Sequence, residues 1–497
     1  MLKISLVFFA IGFTCFVSAD IEVINLHPWE ELSRIGLGFL KPDVMFLGDI
    51  YQSFINTLLF AICGITIAIT IGGIFSLFFD WRIVRYVSSF IRSIHEIFWA
   101  FLLMPLLGLT PVCGVLAIAI PYSGVFTKVI AEIRQESDKR PLKGLPIDSG
   151  RIASFCYASL PVIYQDLKQY SSYRFECALR SSAVLGFIGL PTLGFHLETA
   201  FREGNYSQAA AILIVFYLLI ASLRFWLHGK SLVLLIVASF SLLSIEFHGS
   251  LVNFNNFLRN EILPWPMRRE GFYDGTGEIQ LPLNELLEWT SDLLQNQVWT
   301  GLMNSLILTQ VVLVTTALFT LLIFPLITRS LFNSINRGCA SAVIIILRTT
   351  PEYILAFVLV QLWGPSMLPA MVALTLHNGA IMSHLTGKNA GLINLRLDGA
   401  KKRINLYLFE ILPRVYGQFL AFLFYRWEVI MRETAILGIL GIYTLGFYVD
   451  SAMSESKLDE VLFLIFITAI LNIAIDSISQ IIRKKFPVSM SLVTQDT

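Results

Sequence analysis

Residues 160–195 read LPVIYQDLKQYSSYRFECALRSSAVLGFIGLPTLGF, and residues 412–447 read LPRVYGQFLAFLFYRWEVIMRETAILGILGIYTLGF. The two stretches align without a gap at an offset of 252, with 15 identities in 36 positions. Chance does not produce such a match across charged, aromatic and glycine positions together, so the chain carries an internal duplication. A second correspondence lies upstream, where Arg92-Ser93-Ile94-His95-Glu96 matches Arg348-Thr349-Thr350-Pro351-Glu352 at an offset of 256. The 497 residues therefore read as two copies of a unit about half that length.

Composition says what solvent the copies live in. Hydrophobic residues make up 56% and charged residues 14%, with a mean hydropathy of +0.71; a soluble domain carries ~25% charged residues. Only a bilayer suits such a chain. The net charge of +1 excludes a global basic field of the kind that attracts nucleic acid. The six cysteines, Cys15, Cys63, Cys113, Cys156, Cys177 and Cys339, are scattered without metal or redox spacing and read as small packed hydrophobes.

Apolar runs long enough to span occur at 54–79, 97–120 (interrupted at Pro105), 207–227, 302–328, 340–363, 366–385 and 460–482, with shorter ones at 4–19 and 231–247. Lys3, the first run and Val17-Ser18-Ala19 describe either a signal peptide or a first helix entering from the cytoplasm. Basic clusters at Arg82/Arg85, 134–151, Arg224/Lys230, Arg329/Arg337, 388–403 and 483–485 mark cytoplasmic loops, whereas His248–Trp299 holds three Arg against seven acids and belongs outside. Placing every basic cluster inside requires two further spans at about 160–190 and 413–445, which are the duplicated stretches. The expectation is an all-α integral membrane protein of about twelve spans, both termini cytoplasmic, in two parallel six-helix repeats: 1–229, and 230–497 with the outer loop 249–299. The repeats would face each other around a central path.

Within each repeat Arg174, Glu176 and Arg180 match Arg426, Glu428 and Arg432. Charges inside a span must meet each other, a neighbouring helix or a water-filled path, because an unpaired charge in hydrocarbon costs several kcal/mol. Two readings follow. Arg side chains line the route of an anion, whose oxygens a guanidinium grips bidentately; or Arg and Glu form ion pairs that pin this helix to Arg92/Glu96 or Arg348/Glu352. Gly186, Gly189 and Gly194 match Gly438, Gly441 and Gly446 and serve close packing or a break. Basic segments 134–155 and 386–411 precede Leu160-Pro161 and Leu412-Pro413, which suit a first helical turn, so each segment is a loop with its own short helix.

No catalytic or nucleotide-binding pattern is legible. Gly229-Lys230-Ser231 mimics the end of a phosphate-binding loop, but its first glycine would fall on Arg224. HExxH and GxSxG are lacking, so an intramembrane enzyme is disfavoured, and His377 and His384 read as packed polar residues on one helix face. No cofactor is indicated.

The residues quoted above resemble the phosphonate-type permeases of ABC importers: R-x-x-[P/H]-E, a cytoplasmic segment ending in Leu-Pro, then Tyr173-Arg174-Phe175-Glu176 and Tyr425-Arg426-Trp427-Glu428 followed by glycines. The resemblance covers most of the chain outside the first ~50 residues and the loop 249–299. It implies a type I importer membrane domain in the bacterial inner membrane, two permease copies fused in one chain. It further implies two cytoplasmic ATPase subunits and a periplasmic solute-binding protein as partners, with phosphonate, phosphite or phosphate as cargo. The chain would not itself be an enzyme. In the family the segment before Leu-Pro couples to the ATPase around a Gly thirteen residues ahead of the Pro. Here Asp148 occupies that slot with Gly150 two later, and Asp398-Gly399-Ala400 lies one residue too far from Pro413, followed by Lys401, Lys402 and Arg403. Pro191 and Tyr443 interrupt the family's glycine run. An ion-gradient-driven secondary transporter of a small anion is the alternative, since parallel six-plus-six repeats describe that class too.

Overall fold

The computed structural model describes residues 2–48, 50–146, 149–227, 229–243, 257, 261–268, 282–393, 395–396 and 403–484. Among these the chain is helical, with no strand. The principal helices are α1 (Leu2–Ser18), α2 (Pro28–Leu40), α3 (Tyr51–Ser76), α4 (Arg82–Ser93), α5 (Glu96–Leu107), α6 (Pro111–Glu136), α7 (Leu160–Val184), α8 (Leu193–Arg202), α9 (Tyr206–Trp226) and α10 (Gly229–Leu242). They continue as α11 (Leu283–Leu293), α12 (Trp299–Ile327), α13 (Ser334–Thr349), α14 (Glu352–Trp363), α15 (Met367–Gly391), α16 (Leu412–Ile436), α17 (Leu445–Ser454) and α18 (Leu458–Arg483). Helices α4 to α9 correspond one for one with α13 to α18, so the duplication read in two stretches extends over whole sets of elements.

Contacts divide the chain into two compact units, one built from residues 35–257 and the other from 1–34 with 258–488. In the first, α3 lies along α6 because small residues let the two backbones approach: a side chain at Gly64 would meet Ile118, and one at Gly72 would meet Phe126. In the second, α12 lies along α15 by the same device, with Gly379 against Phe319 and Gly387 against Ile327. The leading apolar helices do not follow chain order. Helix α10 precedes the second repeat yet packs on α3 of the first. Helix α1 precedes the first repeat yet packs on α12, where Gly12 faces Val314. There the Phe8 ring meets Phe424 at 4.9 Å and Trp427 at 5.3 Å, and the Tyr416 hydroxyl donates to Ser5 Oγ at 2.7 Å. The irregular stretch after α1 is laced onto the same unit, with Ile24 N–H donating to Trp363 O (2.7 Å) and Met367 N–H to Asp20 O (3.1 Å).

Six helices among the described residues are long and apolar enough to cross a membrane, or nine when each of three bent pairs is one span; α1 and residues 231–242 are shorter apolar helices. Twelve is not reached by this criterion even with each broken pair counted as one span, because α1 and residues 231–242 fall short of the length. The run 97–120 is not one helix interrupted at Pro105. Pro105 sits inside α5, and the chain turns at Gly108, whose φ of +68° suits glycine, before Thr110 caps α6. The duplicated helices differ from expectation in the other direction. Leu160 and Leu412 do not begin them: helical turns Arg151–Ser154 and Arg403–Leu406 run through π-turns Phe155–Ser159 and Tyr407–Ile411 directly into α7 and α16. A proline has no N–H for the carbonyl four residues back and its ring crowds that carbonyl, and one wide turn accommodates both defects without ending the helix. Of the loop 249–299, residues 261–268 are clipped to the start of α18, where buried Asp459 accepts from Trp265 N–H (2.8 Å) and pairs with Arg268 (3.1 Å).

Candidate functional site

The matched R-x-x-x-E motifs sit at sharp bends. Helices α4 and α5 meet at 91°, α13 and α14 at 93°. Arg92 and Arg348 stand in the last turns of α4 and α13, Glu96 and Glu352 in the first turns of α5 and α14. Each charge opposes the partial charge of its own helix end, worth ~0.3–1 kcal/mol. The break also means that Arg and Glu are not i, i+4 neighbours on one helix face.

Around Glu96 the first unit supplies donors. Ser181 Oγ, from α7, donates to Glu96 Oε1 at 2.5 Å, Tyr122 OH lies 3.3 Å from the same hydroxyl, and His95 Nε2 lies 3.2 Å from Glu96 Oε2. His95 also caps α5 by accepting from Ile97 N–H. The second unit fills the equivalent place differently. Glu433 replaces Ser181, and His377 and Asn378, from α15, replace Pro121 and Tyr122. Glu352, His377 and Glu433 each bring a ligand atom within 4.8 Å of the other two. These three are the group among the described residues with the donor set to hold a metal ion. His377 Nδ1 lies 2.9 Å from Thr350 O, and Asn378 Nδ2 donates to Glu433 Oε2 at 2.7 Å.

The duplicated arginines also differ in their surroundings. Half-buried Arg174 donates through Nε to Tyr170 OH at 2.6 Å and lies 5.1 Å from that ring and 5.5 Å from Tyr173. The residue equivalent to Tyr170 is Phe422, which has no oxygen to offer. Arg426 is 8% exposed, and among the described residues its Nε and Nη2 are buried without a hydrogen-bond acceptor. Arg180 contacts Cys177 Sγ through Nη2 at 3.2 Å. Glu176 and Arg432 are half-buried and Glu428 is buried. The structure thus brings Ser181 onto Glu96 and Glu433 beside Glu352.

The matched glycines build an elbow at the far end of each duplicated helix. A 3-10 turn, 185–188 or 437–440, ends at Gly189 (φ +91°) or Gly441 (φ +82°), and the chain turns into α8, bent by 52° in the first unit, or α17. A Cβ at Gly194 would overlap the Ala183 carbonyl oxygen, and one at Gly446 that of Ala435; Gly186 and Gly438 are closed by the backbone N–H of Phe195 and Phe447. The carbonyls of Pro191 and Tyr443, which stand in the glycine run, accept from Asn56 Nδ2 (2.9 Å) and Asn304 Nδ2 (2.8 Å). These glycines therefore form a turn rather than a helix-packing face.

Of the expected coupling residues, exposed Gly150 precedes the turn Arg151–Ser154, and Arg151 lies over the rings of Phe78 (5.8 Å) and Trp81 (6.0 Å). Arg403 opens the matching turn and lies 5.6 Å from the Phe332 ring. Asp148, Asp398, Gly399, Ala400, Lys401 and Lys402 lie outside the described residues.

Comparison with known proteins adds relatives to this geometry. The chain is 28% identical over 143 residues to a protein of Stutzerimonas stutzeri named as the phosphite transport system permease HtxE, a match covering 29% of this chain and 55% of that one. It is 29% identical over 181 residues to the phosphate-import permease protein PhnE of Mycolicibacterium smegmatis, covering 34% of each. With the phosphite transport system permease protein PtxC of Stutzerimonas stutzeri it shares 22% identity over 229 residues, 43% of this chain and 82% of the relative. The chain spans about half the length of the first of these and about a third of the second. No family model and no solved structure matches it. Each relative matches only part of this duplicated, multi-pass helical chain, which is similar over those parts to permeases of phosphite, phosphonate and phosphate transport systems.

Proposed function

We propose that the chain is the membrane permease of an importer for a phosphorus oxyanion, working by alternating access with separate ATPase subunits and a solute-binding protein. Phosphonate, phosphite and phosphate share a tetrahedral head of anionic oxygens that a guanidinium binds through paired, charge-assisted hydrogen bonds. The observation that carries this reading is Arg426: a buried cation with two N–H-bearing nitrogens lacking an acceptor, where its duplicate has Tyr170. A buried polar group without a partner costs about 1–3 kcal/mol, more for a charge, and an arriving oxyanion removes that cost. Arg92, Arg174, Arg180, Arg348 and Arg432 and the acids Glu96, Glu176, Glu352 and Glu428 form the surrounding ion-pair framework in this reading. The segments 134–155 and 386–411 receive the ATPases, and their movement rocks the two repeats.

Proteoliposomes containing the chain, its ATPase and its binding protein test the proposal with labelled phosphonate, phosphite and phosphate. Uptake should need ATP and survive an ionophore; uptake without ATP that collapses with the ionophore overturns the importer reading. Arg426→Gln should abolish uptake while the ATPase still co-purifies. Retained uptake removes Arg426 from the path. Charge reversal at Lys401, Lys402 and Arg403 should reduce ATPase co-purification, and unchanged association removes that segment from the docking surface.

A further inference from the structure

The cluster at the second bend has a charge and geometry that the first bend lacks. Glu433 stands where the first unit has Ser181, so two carboxylates, Glu352 and Glu433, face one imidazole in a buried place. His377 is 2% exposed and Glu433 8%.

The hydrogen-bonding roles are fixed from outside the cluster. His377 Nδ1 lies 2.9 Å from Thr350 O and 3.3 Å from Leu347 O, and a carbonyl can only accept, so Nδ1 carries hydrogen. Nε2 is thereby directed at the carboxylates, 3.6 Å from Glu352 Oε2. That separation exceeds hydrogen-bond length. It is close to the ~3.4 Å between two ligand atoms that each sit ~2.1 Å from one tetrahedral cation. Glu433 is oriented in turn by Asn378 Nδ2 at 2.7 Å. An imidazole held through one nitrogen by a main-chain carbonyl, and a carboxylate held by an amide, are the outer contacts that metal ligands carry.

From this geometry we infer that Glu352 carboxylate, His377 Nε2 and Glu433 carboxylate form a site for a divalent transition-metal cation of the zinc class. The ion ties the first turn of α14 to α15 and α16. The first unit makes the equivalent tie with the Ser181 hydroxyl and His95. Three protein ligands leave a fourth position open to water or an anion oxygen. The inference stands on these contacts alone and does not depend on the transport reading.

The test uses the full chain, free of any histidine tag, purified in detergent, stripped with EDTA and titrated with zinc chloride. Bound zinc is counted by elemental analysis after gel filtration, and the unfolding midpoint is followed in parallel. The wild type should retain one zinc per chain, with a midpoint that rises with zinc concentration. Glu433→Gln and His377→Gln should each weaken binding by ~100-fold or more, and Asn378→Ala by ~10-fold through the lost outer contact. Ser181→Ala, at the equivalent place in the first unit, should bind zinc as the wild type does. A wild-type chain that retains no zinc overturns the inference by itself, whatever the variants do. So does Glu433→Gln binding as tightly as wild type. A midpoint that answers to pH but not to zinc, with the response lost in Glu433→Gln, assigns the cluster to a shared proton and overturns the metal site.

Discussion

The two bends have nearly the same backbone and different chemistry. At one, a single acid, Glu96, receives hydroxyl and imidazole donors; at the other, Glu352 meets a second acid and an imidazole. Bend angles of 91° and 93° and elbow glycines with φ of +91° and +82° repeat closely. Backbone features persist because no side chain can replace them: a turn closed on a carbonyl tolerates only hydrogen at the glycine. Side chains lining the bends have diverged because several donor and acceptor sets can settle one carboxylate.

The largest expected effect tests the shared half of that comparison. Gly446→Ala and Gly194→Ala each drive a methyl onto a backbone carbonyl, which cannot rotate away. Each should cost more than ~3 kcal/mol, the upper end for overpacking, and prevent accumulation of folded chain as seen by gel filtration of membrane extracts. Gly189→Ala and Gly441→Ala, where the obstacle is positive φ rather than a clash, should cost about 1–2 kcal/mol. If one unit tolerates its alanine and the other does not, the elbows are not equivalent.

The next prediction exchanges the divergent half. Tyr170→Phe removes the oxygen that accepts from Arg174 and makes the first unit like the second. It should destabilise by about 1–3 kcal/mol, the cost of a hydrogen bond to a charged group. Phe422→Tyr offers Arg426 an acceptor one helical turn away. It should raise the thermal midpoint and, on the proposed function, slow uptake, because the hydroxyl then competes with the anion. A Phe422→Tyr chain that transports normally with no gain in stability would show that Arg426 is settled by other means.

Much of this was legible in the sequence. The gapless match of 160–195 with 412–447 fixed the repeat, and its residues named the arginines and the glycines. Structure was needed where pattern and geometry part. Arg92 and Glu96 have helix spacing, yet a bend divides them, and His95 and Pro351 as helix starters were the available sign. Leu-Pro reads as a helix start, yet the π-turns carry the helix through it. The exchange of α1 and α10 had no signal, since an apolar helix does not encode which copy it packs on. Glu433 was visible as an acid standing where the aligned stretch has Ser181. His377 and Asn378 lie outside that stretch, so their meeting with Glu433 was not.

The smallest effect belongs to the segments before the duplicated helices, where the two units again differ. In the second, buried Glu410 accepts from Arg396 N–H at 2.7 Å and pairs with Arg414 at 3.2 Å; the equivalent residue in the first is Ala158. Glu410→Ala should therefore cost about 1–3 kcal/mol, because it removes the charged acceptor of the Arg396 N–H and the ion pair with Arg414. The first unit has Asp138 and Arg140 instead, joined by Arg140 Nε to Asp138 Oδ2 at 2.7 Å but exposed. Hydrogen bonds from the Arg140 side chain, then from its backbone N–H, hold the Asp138 carboxyl below its ordinary 3.8. A depressed carboxyl favours the folded state above that ordinary value and loses the contribution as pH falls through the folded one. Asp138→Ala should thus leave the midpoint at neutral pH unchanged within error, since water screens an exposed pair of this kind. Any difference from wild type should shrink further below pH 3.8, as Asp138 takes up its proton in both states. A loss at neutral pH as large as that of Glu410→Ala would mean that the two segments are held equally firmly, and would break the contrast drawn between them.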